Sequence, residues 1–99
     1  MTTAAMVGAG LIGRSWAMVF ARAGWRVRVY DSVASQLDAA REHIDSGLVE
    51  QQQYGLADDA AAASARIEYV ADLEQLLAGV DWVQENAPEM LDVKQELYA

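Results

Sequence analysis

Met6-Val7-Gly8-Ala9-Gly10-Leu11-Ile12-Gly13-Arg14-Ser15 decides the fold. An apolar run leads into G-x-G-x-x-G, and a helix-period pattern opens at once. In that strand-to-helix context the spacing is the fingerprint of a dinucleotide-binding turn. Each glycine has its own task. Gly8 lets the chain turn tightly out of the strand. Gly10 lacks a Cβ, so the backbone can approach a pyrophosphate. Gly13 lets the new helix pack closely on the strand. The helix N-terminus then offers free N–H groups and a partial positive charge to the phosphates. Three glycines in an ordinary tight turn would be the plain alternative, and an acid at the right distance downstream weighs against it.

Outward from the glycines, Thr3 to Val7 reads as a short buried strand. The helix that follows spans about Leu11 to Ala23, with Ile12, Trp16, Val19, Phe20 and Ala23 as one apolar stripe. Gly24 ends it. Trp16 is expected in the core rather than as a platform for a cofactor. Trp25 to Asp31 alternates and is β-branched, a second strand. Asp31 closes it 18 residues after Gly13, where a carboxylate is expected to accept hydrogen bonds from ribose hydroxyls. It would also repel a 2′-phosphate, which favours NAD over NADP. Asp31 or Ser32 could equally cap the next helix, and neighbouring residues can fill both roles.

The next helix spans about Val33 to Gln53, with Val33, Leu37, Ala40, Ile44 and Leu48 on its inner stripe. Gly47 interrupts that pattern and puts its continuity in question. His43, the one histidine, lies off the stripe and reads as a solvated residue rather than a base. Ala57 to Ala65 is a short alanine-rich helix with Asp58 and Asp59 at its start. Arg66 to Val70 is a third strand, Asp72 to Gly79 a compact helix with an acidic first turn, and Val80 to Glu85 a fourth strand. Pro88 stands at the first position of a last helix, Glu89 to Tyr98. This alternation predicts an α/β fold, a Rossmann-type parallel sheet in the order 3-2-1-4 with flanking helices and right-handed crossovers, incomplete in its C-terminal half.

Composition narrows the function. Ninety-nine residues suit one small domain, and 54% hydrophobic content suffices for a core. No apolar run is long enough to span a membrane, and Met1-Thr2-Thr3 lacks the basic start of a signal peptide. There is no cysteine, hence no disulfide and no thiol chemistry. A cytoplasmic location fits best, and no metal site is expected. The net charge of −8 is uneven: residues 1–30 carry Arg14, Arg22, Arg26 and Arg28 and no acid, whereas all 15 acids lie in residues 31–99. The acidic bulk argues against nucleic acid and anionic membranes as partners. Most of the four arginines read as solvated.

V-G-A-G-L-I-G-R-S-W-A, then V-Y-D, then W-V-Q-E-N-A-P-E-x-x-x-x-K together resemble the NAD-binding domain of the 3-hydroxyacyl-CoA dehydrogenase superfamily. The forms G-R-S-W-A and Q-E-N-x-P-E are most similar to its λ-crystallin/L-gulonate 3-dehydrogenase branch, with the carnitine 3-dehydrogenases near. The resemblance covers essentially the whole chain. It implies that NAD binds along Gly8, Gly10, Leu11, Ile12 and Gly13 at the pyrophosphate, with Leu11 and Ile12 giving backbone N–H groups, and at Asp31 through the ribose. It also implies that Glu89 and Lys94 lie near the nicotinamide half. Spacing alone does not single out that pair: five residues apart on a helix they stand about 140° apart.

In the family the catalytic histidine, its glutamate partner and the polar groups near them lie further along, so no catalytic residue is assigned among these 99. The chain is expected to be the N-terminal part of such a domain, inactive alone. The whole protein is then expected to transfer a hydride between NAD and a 3-hydroxy acid or 3-hydroxyacyl substrate. Members of the family that act on acyl-CoA hold CoA with a hydroxyl and a lysine on the second helix. The corresponding stretch here offers no lysine, and residues 38–59 carry six acids against Arg41, which would repel CoA phosphates and favours a small hydroxy acid. A non-catalytic NAD-binding or crystallin-like structural module is the alternative; a flavin-binding fold is disfavoured by P-E-x-x-x-x-K. The open side of the fourth strand predicts a homodimer or other self-association.

Overall fold

A computed structural model of the chain describes residues 2–85. Its centre is β1, Thr3–Val7, with the bounds expected from sequence. Ala4, Ala5 and Met6 are wholly buried. Small side chains suit this place, because the strand is flanked on both edges and covered on both faces. It pairs in parallel with β2, Arg26–Tyr30, from Thr3 opposite Arg26 to Val7 opposite Tyr30. On its other side it pairs in parallel with β4, Trp82–Glu85. Parallel β3, Ile67–Val70, continues from β2, so the order is β3-β2-β1-β4, as predicted.

The alternation of β2 sorts the two faces. Val27 and Val29 face the larger core, formed with helix α1 (Leu11–Arg22), α2 (Ala34–Gln53) and α3 (Ala60–Ala65). A smaller cluster of Ala5, Val70 and Leu76, flanked by Val7, Tyr30 and Val80, lies with α4 (Leu73–Leu77) on the opposite face. Asp59 caps α3 by accepting from the Ala62 N–H, and Asp72 caps α4 by accepting from the Glu74 N–H.

Two readings of the helices are corrected. In α1 the buried residues are Gly13, Ala17, Met18 and Ala21, one position round from the predicted stripe. Ile12 is 52% exposed, Trp16 41% and Val19 38%. Trp16 is therefore a surface residue, its ring tilted against Phe20 at 6.1 Å. Phe20, half-buried, packs on the core with Trp25 at 4.7 Å, and Ala23 is exposed. The cause is the close approach of α1 to an alanine-lined strand: Ala17 and Ala21 fit that contact, Met18 reaches Gly47 of α2 instead, and Ile12, Trp16 and Val19 are turned outward. In α2, Ala40, Ile44 and Leu48 are buried and Leu37 packs at the margin, but Val33 precedes the helix and is exposed.

Gly47 does not break α2. A Cβ there would stand 2.6 Å from the Met18 sulfur, so the glycine is the point at which α1 and α2 touch. The arginines are also less idle than their solvated reading. Arg28 donates to the carbonyls of Gln75, Leu76 and Ala78 at the end of α4 and pairs with Glu68 at 3.4 Å. Arg66 donates to the Ala21 carbonyl at 2.7 Å, near the end of α1. Both put positive charge where the helix dipole is negative. Arg22 bonds Gln51 on α2.

Candidate functional site

The glycine loop leaves the C-terminal end of β1 beside the C-terminal end of β2. Since β2 and β4 flank β1, this end of the sheet is the reversal point at which doubly wound folds bind ligands. Gly8 has φ +103°, a conformation that a side chain would strain, and its N–H donates to the Tyr30 carbonyl at 2.9 Å. The turn thus hangs from the end of β2. Ala9 is wholly buried in the larger core. Gly10 is the N-cap of α1, with φ −72° and ψ −175°, a backbone that any residue can adopt. A Cβ at Gly10 would meet no described atom within 4 Å. Nothing among the described residues requires glycine there. Gly13 is buried.

The N-terminus of α1 has no side-chain cap and no acid in its first turn, unlike α3 and α4 with their aspartate caps. Its first backbone N–H groups, Leu11 and Ile12 among them, lack partners within the helix. Leu11 is 68% exposed. Backbone donors at such a helix start can bind an anion.

Asp31 is half-buried just past β2. Its Oδ2 accepts from the Ala9 N–H at 3.0 Å and its Oδ1 from the Val33 N–H at 2.9 Å. The N-cap of α2 is Val33, without a side-chain cap bond, so Asp31 ties down the residue before the helix instead of capping it. Each carboxylate oxygen has two acceptor directions, so both retain one for a hydroxyl. The geometry brings together Gly8, Gly10, Leu11, Ile12, Gly13 and Asp31. Glu89 and Lys94 lie outside the described residues.

Sequence reasoning missed two contributors. Arg14 donates through Nε to the Ala9 carbonyl at 2.8 Å and through Nη2 to Gln36 Oε1 at 3.0 Å. A signal was present: a cation at the start of a helix opposes the dipole and calls for a partner. For Gln36 no sequence signal existed. A separate concavity of about 660 Å³ lies along β2 and β3, lined in part by Arg28, Arg41, Glu68 and Tyr69, and contains none of the expected site residues. Arg41 stacks on the Tyr69 ring at 4.7 Å. The Tyr69 hydroxyl is buried with no hydrogen-bond partner among the described residues. Burial, with a smaller push from Asp45 and an opposing pull from Arg41, raises its pKa to about 12.

A parallel sheet of this order with a glycine turn, an uncapped helix start and an acid after β2 defines a dinucleotide-binding α/β domain. The family described as "3-hydroxyacyl-CoA dehydrogenase, NAD binding domain" matches residues 3–99, and the chain belongs to it. NAD is the cofactor of that domain. The open space at Gly10, the uncapped donors and the spare acceptor positions of Asp31 fit it.

Among curated proteins, λ-crystallin of Oryctolagus cuniculus is 37% identical over 97 residues, 95% of this chain and 30% of that protein. The L-carnitine dehydrogenase/betainyl-CoA thioesterase of Ruegeria pomeroyi is 37% identical over 99% of this chain and 20% of its own length. Among solved structures, 3-hydroxybutyryl-CoA dehydrogenase from Escherichia coli matches with TM-score 0.85 and 34% identity, over 99% of this chain and 21% of that one. A diketoreductase matches with TM-score 0.83 and 33% identity, over 99% and 36%. The chain thus spans under a third of the length of these two curated relatives.

Proposed function

We propose that the chain holds NAD with Gly8, Gly10, Leu11, Ile12 and Gly13 at the pyrophosphate and Asp31 at the ribose, and that Glu89 and Lys94 serve the nicotinamide half. The whole protein of which these residues form the cofactor-holding part is an NAD-dependent oxidoreductase acting on a secondary alcohol at a β-hydroxy position. When bound, NAD supplies the hydride acceptor or donor. The residues here orient it: the loop amides neutralise the pyrophosphate, and Asp31 fixes the ribose and excludes a 2′-phosphate. No catalytic base is assigned in this chain, so it binds without turnover.

A small hydroxy acid is preferred to an acyl-CoA as substrate. Asp38, Glu42, Asp45 and Glu50 stand exposed on α2, and the guanidinium of Arg41 is drawn to Tyr69. The dehydrogenase relative whose name specifies L-carnitine, a β-hydroxy acid, supports this class. The protein is read as cytoplasmic, with no nucleic-acid or membrane partner; no helix among the described residues is long and apolar enough to cross a membrane. Self-association is inferred from β4, the terminal strand among those described, with Trp82 50% and Val83 40% exposed. Sedimentation giving only monomer would remove that inference.

One observation carries the cofactor reading: Gly10, in a conformation open to any residue, faces space that no described atom fills, beside uncapped helix donors. The test is an NADH titration followed by energy transfer from Trp16, Trp25 and Trp82. Saturable binding, weakened by Asp31→Ala and poorly competed by NADPH, is expected. Absence of binding, or equal competition by NADPH, overturns the reading.

A further inference from the structure

We propose that Arg14, which is not one of the fingerprint residues, is a positioning residue for the pyrophosphate, acting through the Ala9–Gly10 peptide. The proposal rests on the glycine-loop reading above.

The buried Ala9 is gripped on both sides. Its N–H is held by Asp31 Oδ2 at 3.0 Å and its carbonyl by Arg14 Nε at 2.8 Å. The two bonds belong to successive peptide units, Gly8–Ala9 and Ala9–Gly10, so both planes flanking the Ala9 Cα are set. A trans peptide is planar, and its carbonyl and N–H point in opposite directions. Fixing the Ala9 carbonyl on Arg14 therefore aims the Gly10 N–H the other way. That N–H belongs to the N-cap of an uncapped helix, at the residue whose Cβ direction is open. Its aim decides whether a phosphate oxygen meets a donor or a peptide edge.

Arg14 is itself held. Its Nη2 bonds Gln36 Oε1 at 3.0 Å, near the start of α2. The side chain thus folds back past its own helix start, and the guanidinium bridges the glycine loop and α2. A flexible side chain anchored at both ends loses little further entropy when the ligand arrives. The loop is then oriented before binding, and no ligand free energy is spent on turning the peptide.

The test uses the full 99-residue chain. NADH affinity, thermal midpoint and the Gly10 amide resonance of the ligand-free protein are measured for wild type, Arg14→Gln, Arg14→Lys and Gln36→Leu. Arg14→Gln is expected to weaken NADH about tenfold, the equivalent of one modest hydrogen bond, and to move the Gly10 resonance before any ligand is added. Arg14→Lys, with a single donor head for the Ala9 carbonyl, recovers part of both effects. Gln36→Leu keeps the Ala9 bond, loosens its anchor, and shifts both readouts less but in the same direction. A purely structural brace would lower the midpoint without moving the resonance or the affinity, and that result overturns the proposal. If Arg14→Gln fails to fold, Gln36→Leu decides: unchanged affinity and an unmoved resonance overturn it. Wild type that binds NADH while Arg14→Gln binds equally well removes this proposal alone. Wild type that does not bind removes the glycine-loop reading, and this proposal with it.

Discussion

The Asp31 carboxylate accepts the Ala9 N–H at 3.0 Å across 22 residues of chain. The acid that sequence reasoning gives to a ribose is therefore also a structural member of the glycine loop. Replacing it does two things at once. Asp31→Ala removes two charge-assisted bonds, to Ala9 and Val33. With solvent screening at this half-buried site, a loss of about 1–2 kcal/mol of stability is expected. NADH affinity should fall more than the melting shift alone explains. Denaturant melts alongside NADH titrations check this; a variant as stable as wild type would contradict the two bonds.

Gly8 and Gly10 should respond differently to alanine. At Gly8, φ +103° makes a side chain costly, about 1–3 kcal/mol. At Gly10 the backbone is ordinary and the space open, so Gly10→Ala should leave the thermal midpoint unchanged while weakening NADH at least about tenfold. The pair of melts and titrations separates turn geometry from ligand contact.

Arg28 should matter to the fold and not to the cofactor. From β2 its guanidinium collects three carbonyls at the end of α4, on the face of the sheet opposite α1. Arg28→Met keeps much of the apolar stem and loses the donors, with an expected cost of about 1–2 kcal/mol. Unfolding curves read that cost, and NADH affinity measured well below the midpoint should be unchanged.

Tyr69 predicts an alkaline dependence. Its pKa is about 12 in the fold, raised first by burial, against 10.0 for the free group. The unfolded chain therefore ionises first. The stabilising contribution is complete below pH 10 and is lost as pH rises through about 12. Phenylalanine at this site should flatten the loss and, by removing a buried hydroxyl without a partner among the described residues, leave stability at neutral pH equal or higher by about 1 kcal/mol. Thermal melts between pH 9 and 12, with phenolate absorbance, measure both.

The order of the sheet was legible because punctuation carried it. Glycines and aspartates stand where elements end, and the strands alternate cleanly, as Val27 and Val29 do. The face of α1 was not legible. Apolar periodicity counts bulk, whereas the contact with β1 selects Ala17 and Ala21 for smallness. Gly47 looked like a flaw for a related reason, since its meaning lies in Met18, a residue on another helix. At the site, Gly8 and Asp31 followed from spacing. The bonds from Arg14 to Ala9 and Gln36 did not, because spacing records which residues are near in sequence and not where a long side chain folds back.

The bonds that shape the cradle, from Gly8 to Gln36, span no more than 22 residues of chain. Loops of that length close cheaply, since closure entropy grows only with the logarithm of length. These bonds draw on β1, α1, β2 and the start of α2. They form together with the β1–β2 pairing, which joins the two strands nearest in sequence among the pairs of this sheet. The loop, Asp31 and Gln36 are so drawn together by the shortest-range strand contact among the described residues.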